Sequence, residues 1–169
     1  CCESNLCSCT HYLWFLLCDK AFLVVKLSIL RCTSSIIDLS KGKFEGIIDD
    51  IIVTNTIEKL VLCSGKIFYE LLARRNKDGV NNIALIRIEQ LFPLDKKRII
   101  EIIAKYNAKQ VFWVQEEPQN MGAWTFILSE LQVAGIEVIS RPSSAATASG
   151  SSKKSAIQQQ DIIDKVFKK

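Results

Sequence analysis

The sequence predicts an α/β fold, a three-layer αβα sandwich around a mostly parallel sheet. Three observations carry this. Short apolar runs recur at 60–63, 83–88, 110–114 and 136–139. The segments between them repeat their apolar residues at helical spacing, giving a βαβ series. The composition, 49% hydrophobic and 24% charged with 7 Gly and 3 Pro in 169 residues, suits a globular domain and excludes disordered, collagen-like or mucin-like chains. A chain of this length buries roughly two thirds of its unfolded surface.

The first strand, Leu60–Cys63, is a continuous apolar run that ends at Ser64-Gly65. A helix is predicted from Lys66 to Asn76, with Ile67, Leu71 and Leu72 on one stripe and Asp78-Gly79 as the stop. Arg74 and Arg75 fall near its end, where cations complement the helix dipole. Ile83–Ile88 is the second strand. After Pro93, Asp95 stands as an N-cap before Ile99, Ile102, Ile103 and Tyr106. Gln110–Val114 is the third strand, followed by a loop holding Pro118 and a helix over 123–132 ended by Gly135. Ile136–Ile139 is the fourth strand, and a last helix spans 156–167. Both faces of such a sheet are covered by helices.

Residues 1–30 stand apart. Six of the seven cysteines fall at positions 1, 2, 7, 9, 18 and 32, and only 6 of the 40 charged residues lie in the first forty. The apolar stretch 11–30 is interrupted by Asp19, Lys20 and Lys26, which argues against a membrane span. It has neither a basic region before it nor a small-residue cleavage site after it. Cys2, Cys7, Cys9 and His11 are soft ligands at short spacing, without paired CxxC knuckles. No metal site is assigned there. The chain opens on Cys1 and its one methionine is Met121, so a truncated, frame-disrupted or mis-started product is expected. The domain organisation read from the sequence is an atypical Cys-rich apolar segment (1–30), a lead-in (31–59) and an α/β domain (60–169).

In open parallel sheets, ligands bind beyond the carboxyl ends of the strands. Here those ends carry Ser64-Gly65-Lys66, Glu89-Gln90, Gln115-Glu116-Glu117 and Ser140-Arg141. Ser64-Gly65-Lys66 is a turn whose lysine either binds an anion or is solvated; it is not a P-loop, because Leu60 stands where that motif needs glycine. Glu116 and Glu117 are adjacent and therefore point apart, so one is expected to cap a helix or pair with an arginine of the same edge. Arg141 precedes a run of small residues, Ser143–Ser152, and then Lys153 and Lys154. That pattern suits either a phosphate or carboxylate site or a linker. The candidate anion-binding or effector residues are Lys66, Arg141, Ser144 and Lys153. No catalytic, cofactor-binding or metal-ligating set is identified. The net charge of +4 is too small to imply nucleic acid.

The strings LVLCSGKIFYELLARR (60–75), IALIRIEQLFPLD (83–95), VFWVQEEPQNMGAW (111–124) and SRPSSAATASGSSKKSAIQQQDII (140–163) resemble the C-terminal domain of 2-oxoglutarate dehydrogenase. A looser likeness covers 22–31 and 33–49. Gln115, Glu116, Glu117, Pro118, Asn120, Gly122, Ala123 and Trp124 carry the most specific part. The resemblance implies a transketolase C-terminal-domain-like fold within an oxidoreductase subunit. The intact subunit uses thiamine diphosphate and Mg²⁺ to decarboxylate 2-oxoglutarate in the tricarboxylic acid cycle, passing succinyl to a lipoyl-bearing succinyltransferase. It implies that the thiamine-binding domains precede this one and that the subunit is a homodimer, in the cytoplasm or, in eukaryotes, the mitochondrial matrix. Alone, the piece is expected to be inactive. Two other readings are a free-standing α/β module binding a nucleotide or acyl-CoA, and a metal- or thiol-handling protein working through Cys2, Cys7, Cys9 and His11.

Overall fold

The computed structural model describes residues 40, 44–50 and 56–168. The metal, disulfide and membrane readings of residues 1–30 lie outside them. Residues 45–169 form one compact unit. Its elements are β1 (Ile47–Ile48), β2 (Lys59–Cys63), α1 (Ile67–Asp78), β3 (Ile83–Ile88), α2 (Lys96–Tyr106), β4 (Gln110–Pro118), α3 (Trp124–Leu131), β5 (Ile136–Arg141) and α4 (Ser152–Phe167). The sheet order is β1-β3-β2-β4-β5. β2, β3, β4 and β5 run parallel, and β1 lies antiparallel on β3. Leu62, in the centre, is level with Ile86 on one side and Trp113 on the other.

The middle stretches of the strands, such as Leu60–Cys63, Ile83–Ile86 and Val111–Val114, are continuously apolar because each of their faces meets a helix layer. Leu60, Leu62, Ala84, Ile86 and Trp113 point to one side, against Ile99 and Ile102 of α2 and Trp124 and Ile127 of α3. Val61, Cys63, Leu85, Phe112 and Val114 point to the other, against Ile67 and Leu71 of α1 and Ile162, Ile163 and Val166 of α4. The three-layer α/β prediction holds. Cys63 lies within the second core, where burial pushes its thiol up to about 12. At the opposite end of β2, Lys59 Nζ donates to the Val166 carbonyl at 3.0 Å and also to that of Lys168, fastening the end of α4 to the start of the central strand.

Several boundaries differ from the sequence reading. β1 was not predicted: two residues carry no periodicity, and the strand exists because β3 offers it a ladder. Just beyond β1, the Asp50 carboxylate takes the place of a backbone acceptor, receiving the Leu85 N–H at 2.7 Å. Arg75 lies in the last turn of α1 as expected, and it is also buried. Its guanidinium pairs with Asp50 and donates to the Ile83 carbonyl at 3.3 Å. β4 continues through Pro118, which pairs with Arg141 of β5 across a register irregularity after Val114. That irregularity accommodates a residue with no N–H. α3 ends within the predicted 123–132 span, but the residue that caps it is Gln132, at a positive φ of 50°, and not Gly135. α4 starts at Ser152, four residues early by comparison with the predicted 156, because Ser151 caps it by accepting from the Lys154 N–H. Asp95 caps α2 as expected, accepting from the Arg98 N–H.

Candidate functional site

The strand order places a topological switch between β2 and β4. From β2 the chain crosses to β3 on one side, returns past β2 to β4, and proceeds to β5 on the other. At such a point the loops leaving the carboxyl ends diverge and open a crevice. The loops here are 64–66 after β2, 89–95 after β3, 119–123 after β4 and 142–151 after β5.

Lys66 follows Gly65, whose φ of 71° turns the chain from strand to helix. Its ammonium lies 3.1 Å from Glu70 of α1 and 3.5 Å from Glu116 of β4. Partial burial pulls its pKa down, but Glu116 and Glu70 outweigh that and hold it above the ordinary lysine value. Gln159 of α4 binds the same two carboxylates, donating to Glu70 Oε2 at 2.9 Å and to Glu116 Oε1 at 2.5 Å. Its own oxygen accepts from Arg141 Nη2 at 3.2 Å. Lys66 and Arg141, from opposite flanks of the edge, are thus joined through one glutamine. The expected arginine partner of Glu116 is instead Lys66. Glu116 and Glu117 do point apart, and Glu117 has no hydrogen-bond or ion-pair partner among the described residues.

Arg141 is half-buried. Nη2 also reaches Ser155 Oγ at 3.4 Å, while its buried Nε has no hydrogen-bond partner. No carboxylate pairs with this guanidinium among the described residues. Ser144 sits elsewhere on the loop, held by reciprocal bonds with Asn120: the Ser144 N–H donates to Asn120 Oδ1, and Asn120 Nδ2 to the Ser144 carbonyl, both at 3.0 Å. Lys153 is exposed in the first turn of α4 and has no ion pair among the described residues. Of the four candidates, Lys66 and Arg141 share a network, Ser144 is tied to the β4–α3 loop, and Lys153 stands alone.

The β4–α3 loop is organised by Gln115, which is only 4% exposed. Its oxygen accepts from Trp113 Nε1 at 2.9 Å and the Trp124 N–H at 3.0 Å. Its nitrogen donates to the Pro118 and Met121 carbonyls at 3.1 and 2.7 Å. Each polar atom of the amide therefore makes two bonds, which tie β4, the loop and the first residue of α3 together. Gly122 closes over it with a φ of 72°, and a Cβ there would fall 3.0 Å from Gln115 Nε2. Sequence reasoning singled out this string but did not assign Gln115 a structural role. It also missed Arg87, whose guanidinium lies 4.9 Å from the Phe68 ring and 5.3 Å from the Tyr69 ring, donates to Tyr69 Oη at 2.6 Å and pairs with Glu89 at 2.8 Å. Nothing in the sequence pattern brings an arginine of β3 to two aromatic residues of α1.

Among the described residues no three His, Cys, Asp or Glu side chains gather as a metal-binding group. Nor is any helix among the described residues long and apolar enough to cross a membrane.

Residues 33–167 match a family model described as 2-oxoglutarate dehydrogenase C-terminal. The chain is 44% identical over 147 residues to the Multifunctional 2-oxoglutarate metabolism enzyme of Mycobacterium sp. (strain KMS), covering 79% of this chain and 12% of that protein. It is 41% identical over 156 residues to the protein of the same name from Mycolicibacterium vanbaalenii, covering 83% and 13%. The chain thus spans about an eighth of the length of these relatives. A solved split-gene transketolase, an inactive β4 tetramer, is similar in fold alone, with a TM-score of 0.50 at 15% identity over 75% of this chain and 42% of that one.

Proposed function

Because the chain belongs to the 2-oxoglutarate dehydrogenase C-terminal family, we propose that it is the supporting third domain of an oxidoreductase subunit that decarboxylates 2-oxoglutarate. In this reading thiamine diphosphate and Mg²⁺ are held by domains that precede it in the full protein. The homodimer and the lipoyl-bearing succinyltransferase are its partners, in the cytoplasm or a mitochondrial matrix. The domain braces the others and carries an effector site for a nucleotide or acyl-CoA at Arg141, with Lys153 and the Ser144 loop alongside.

One observation supports the effector site above the rest. Arg141 is a half-buried cation of the carboxyl edge with no carboxylate beside it among the described residues, and its buried Nε lacks an acceptor. A half-buried guanidinium in that state is stabilised by an incoming phosphate. Lys66 contributes to the reading through Gln159 and not by direct contact, since two carboxylates already hold it.

The support role is tested by producing this chain together with the upstream part of the Mycobacterium sp. (strain KMS) relative as a separate polypeptide. Co-purification and restored 2-oxoglutarate decarboxylation are expected, with neither piece active alone; failure to associate overturns the reading. The effector site is tested by calorimetry with acetyl-CoA and with AMP, where Arg141→Ala is expected to abolish a saturable signal from one of them.

A further inference from the structure

A cavity of about 420 Å³ opens at the switch point between β2 and β4. Its walls are Leu91 and Phe92 from the β3–α2 loop and Ala123 and Phe126 from the start of α3, with Ser64, Gln115 and Glu117 as polar members. Its volume lies in the range of small-molecule sites. None of the four candidate anion-binding residues lines it.

The charge around this crevice is the opposite of what an anion needs. No lysine or arginine lines it, and Lys66, two residues beyond Ser64, is already committed to Glu70 and Glu116. Glu117 has no counter-ion and the Ser64 hydroxyl no hydrogen-bond partner among the described residues, so the cavity presents an unspent negative charge and a free hydroxyl. Gln115, beneath them, cannot add to recognition because its amide is consumed by the loop. Phe92 is 84% exposed, and Phe126 stands across from the β3–α2 loop. Aromatic faces attract cations through their quadrupole. A carboxylate, a hydroxyl and two aromatic rings around one apolar cavity define the complement of an organic cation.

We infer that this crevice is a binding site for a compact organic cation, a guanidinium, amidinium or ammonium group carried on an apolar arm. The cation pairs with Glu117 while the arm lies between Phe92 and Phe126. A free metabolite and an arginine side chain of another protein both present this chemistry.

The test is a titration of the 169-residue chain with three probes, followed by NMR amide shifts: benzamidinium, N-acetyl-arginine amide, and benzoate, which keeps the ring and reverses the charge. Saturable binding of at least one cation with Kd on the order of 1 mM is expected, with benzoate weaker by about tenfold or more. Whichever cation binds more tightly separates the two sources. Glu117→Gln, an exposed and nearly isosteric change, is expected to weaken the cation by about tenfold or more, and Phe92→Ser to weaken it as well. Arg141→Ala is expected to leave it unchanged, so the outcome is independent of the effector proposal. Equal binding of benzoate, undiminished binding by the Glu117 variant, loss in the Arg141 variant, or no saturation by either cation overturns the inference.

Discussion

Gln115 shows how a single residue organises a functional edge. Replacing it with Leu removes the acceptor of Trp113 Nε1 and Trp124 N–H and the donor to two carbonyls. Several buried groups then lose partners, so a loss of about 3 kcal/mol is expected, read as a drop in urea midpoint at unchanged slope. Gln115→Glu is expected to fare no better, because a carboxylate keeps the acceptors but is pressed against the Pro118 and Met121 carbonyls. Asp49 gives a second prediction. Burial alone raises its pKa, but hydrogen bonds from Lys105, Tyr106 and the Asp50 N–H outweigh it and hold the carboxyl below the ordinary aspartate value. A depressed carboxylate contributes stability above its unfolded pKa, and the contribution is lost as pH falls through the folded value. Urea midpoints measured into acid are therefore expected to fall less steeply in Asp49→Asn than in the parent chain. The sequence made the string 115–124 conspicuous, yet not the role of Gln115. That role depends on the strand carrying Trp113 beside it and on the loop folding back over the amide, and neither is a property of local spacing.

At the scale of elements, the parallel strands and their helices were readable because apolar periodicity and caps are local signals. Asp95, Gly79 and the four apolar runs all sit where periodicity placed them. What was not readable was everything set by a neighbour. β1 is two residues long and owes its existence to β3 and to the clamp of Asp50 on Arg75 and Leu85. Asp50→Ala is expected to cost about 3 to 5 kcal/mol, because it leaves the Arg75 guanidinium buried without its charge partner. Combining it with Arg75→Met is expected to restore part of that loss, and a chemical-denaturation cycle over the four proteins measures the coupling. The first turn of α4 was hidden by its composition, since a Ser-rich run reads as a linker until one serine is seen to cap. Ser151→Ala is expected to cost about 1 kcal/mol, detected as a lower urea midpoint and earlier amide exchange in residues 152–155.

On the scale of the whole molecule, the two helix layers do not have equal standing. The layer of α2 and α3 lies between strands in the chain, whereas α4 follows every strand and closes the second core through Ile162, Ile163 and Val166. A chain cut after Gly150 is expected to lose cooperative unfolding and become sensitive to protease within β2 and β4. Limited digestion with mass mapping of the first cuts checks this. The tether from Lys59 to the carbonyl of Val166 ties the beginning of the sheet to its final cover, a separation of 107 residues. During synthesis this means that Val61, Phe112 and Val114 leave the ribosome with only α1 to cover that side. They stay so until residue 167 has followed, roughly 2 to 10 seconds after β4 at usual elongation rates. A stall or a premature stop in that interval releases a sheet with one apolar side half-covered, so translation through its last described helix is when this polypeptide most depends on a holding chaperone.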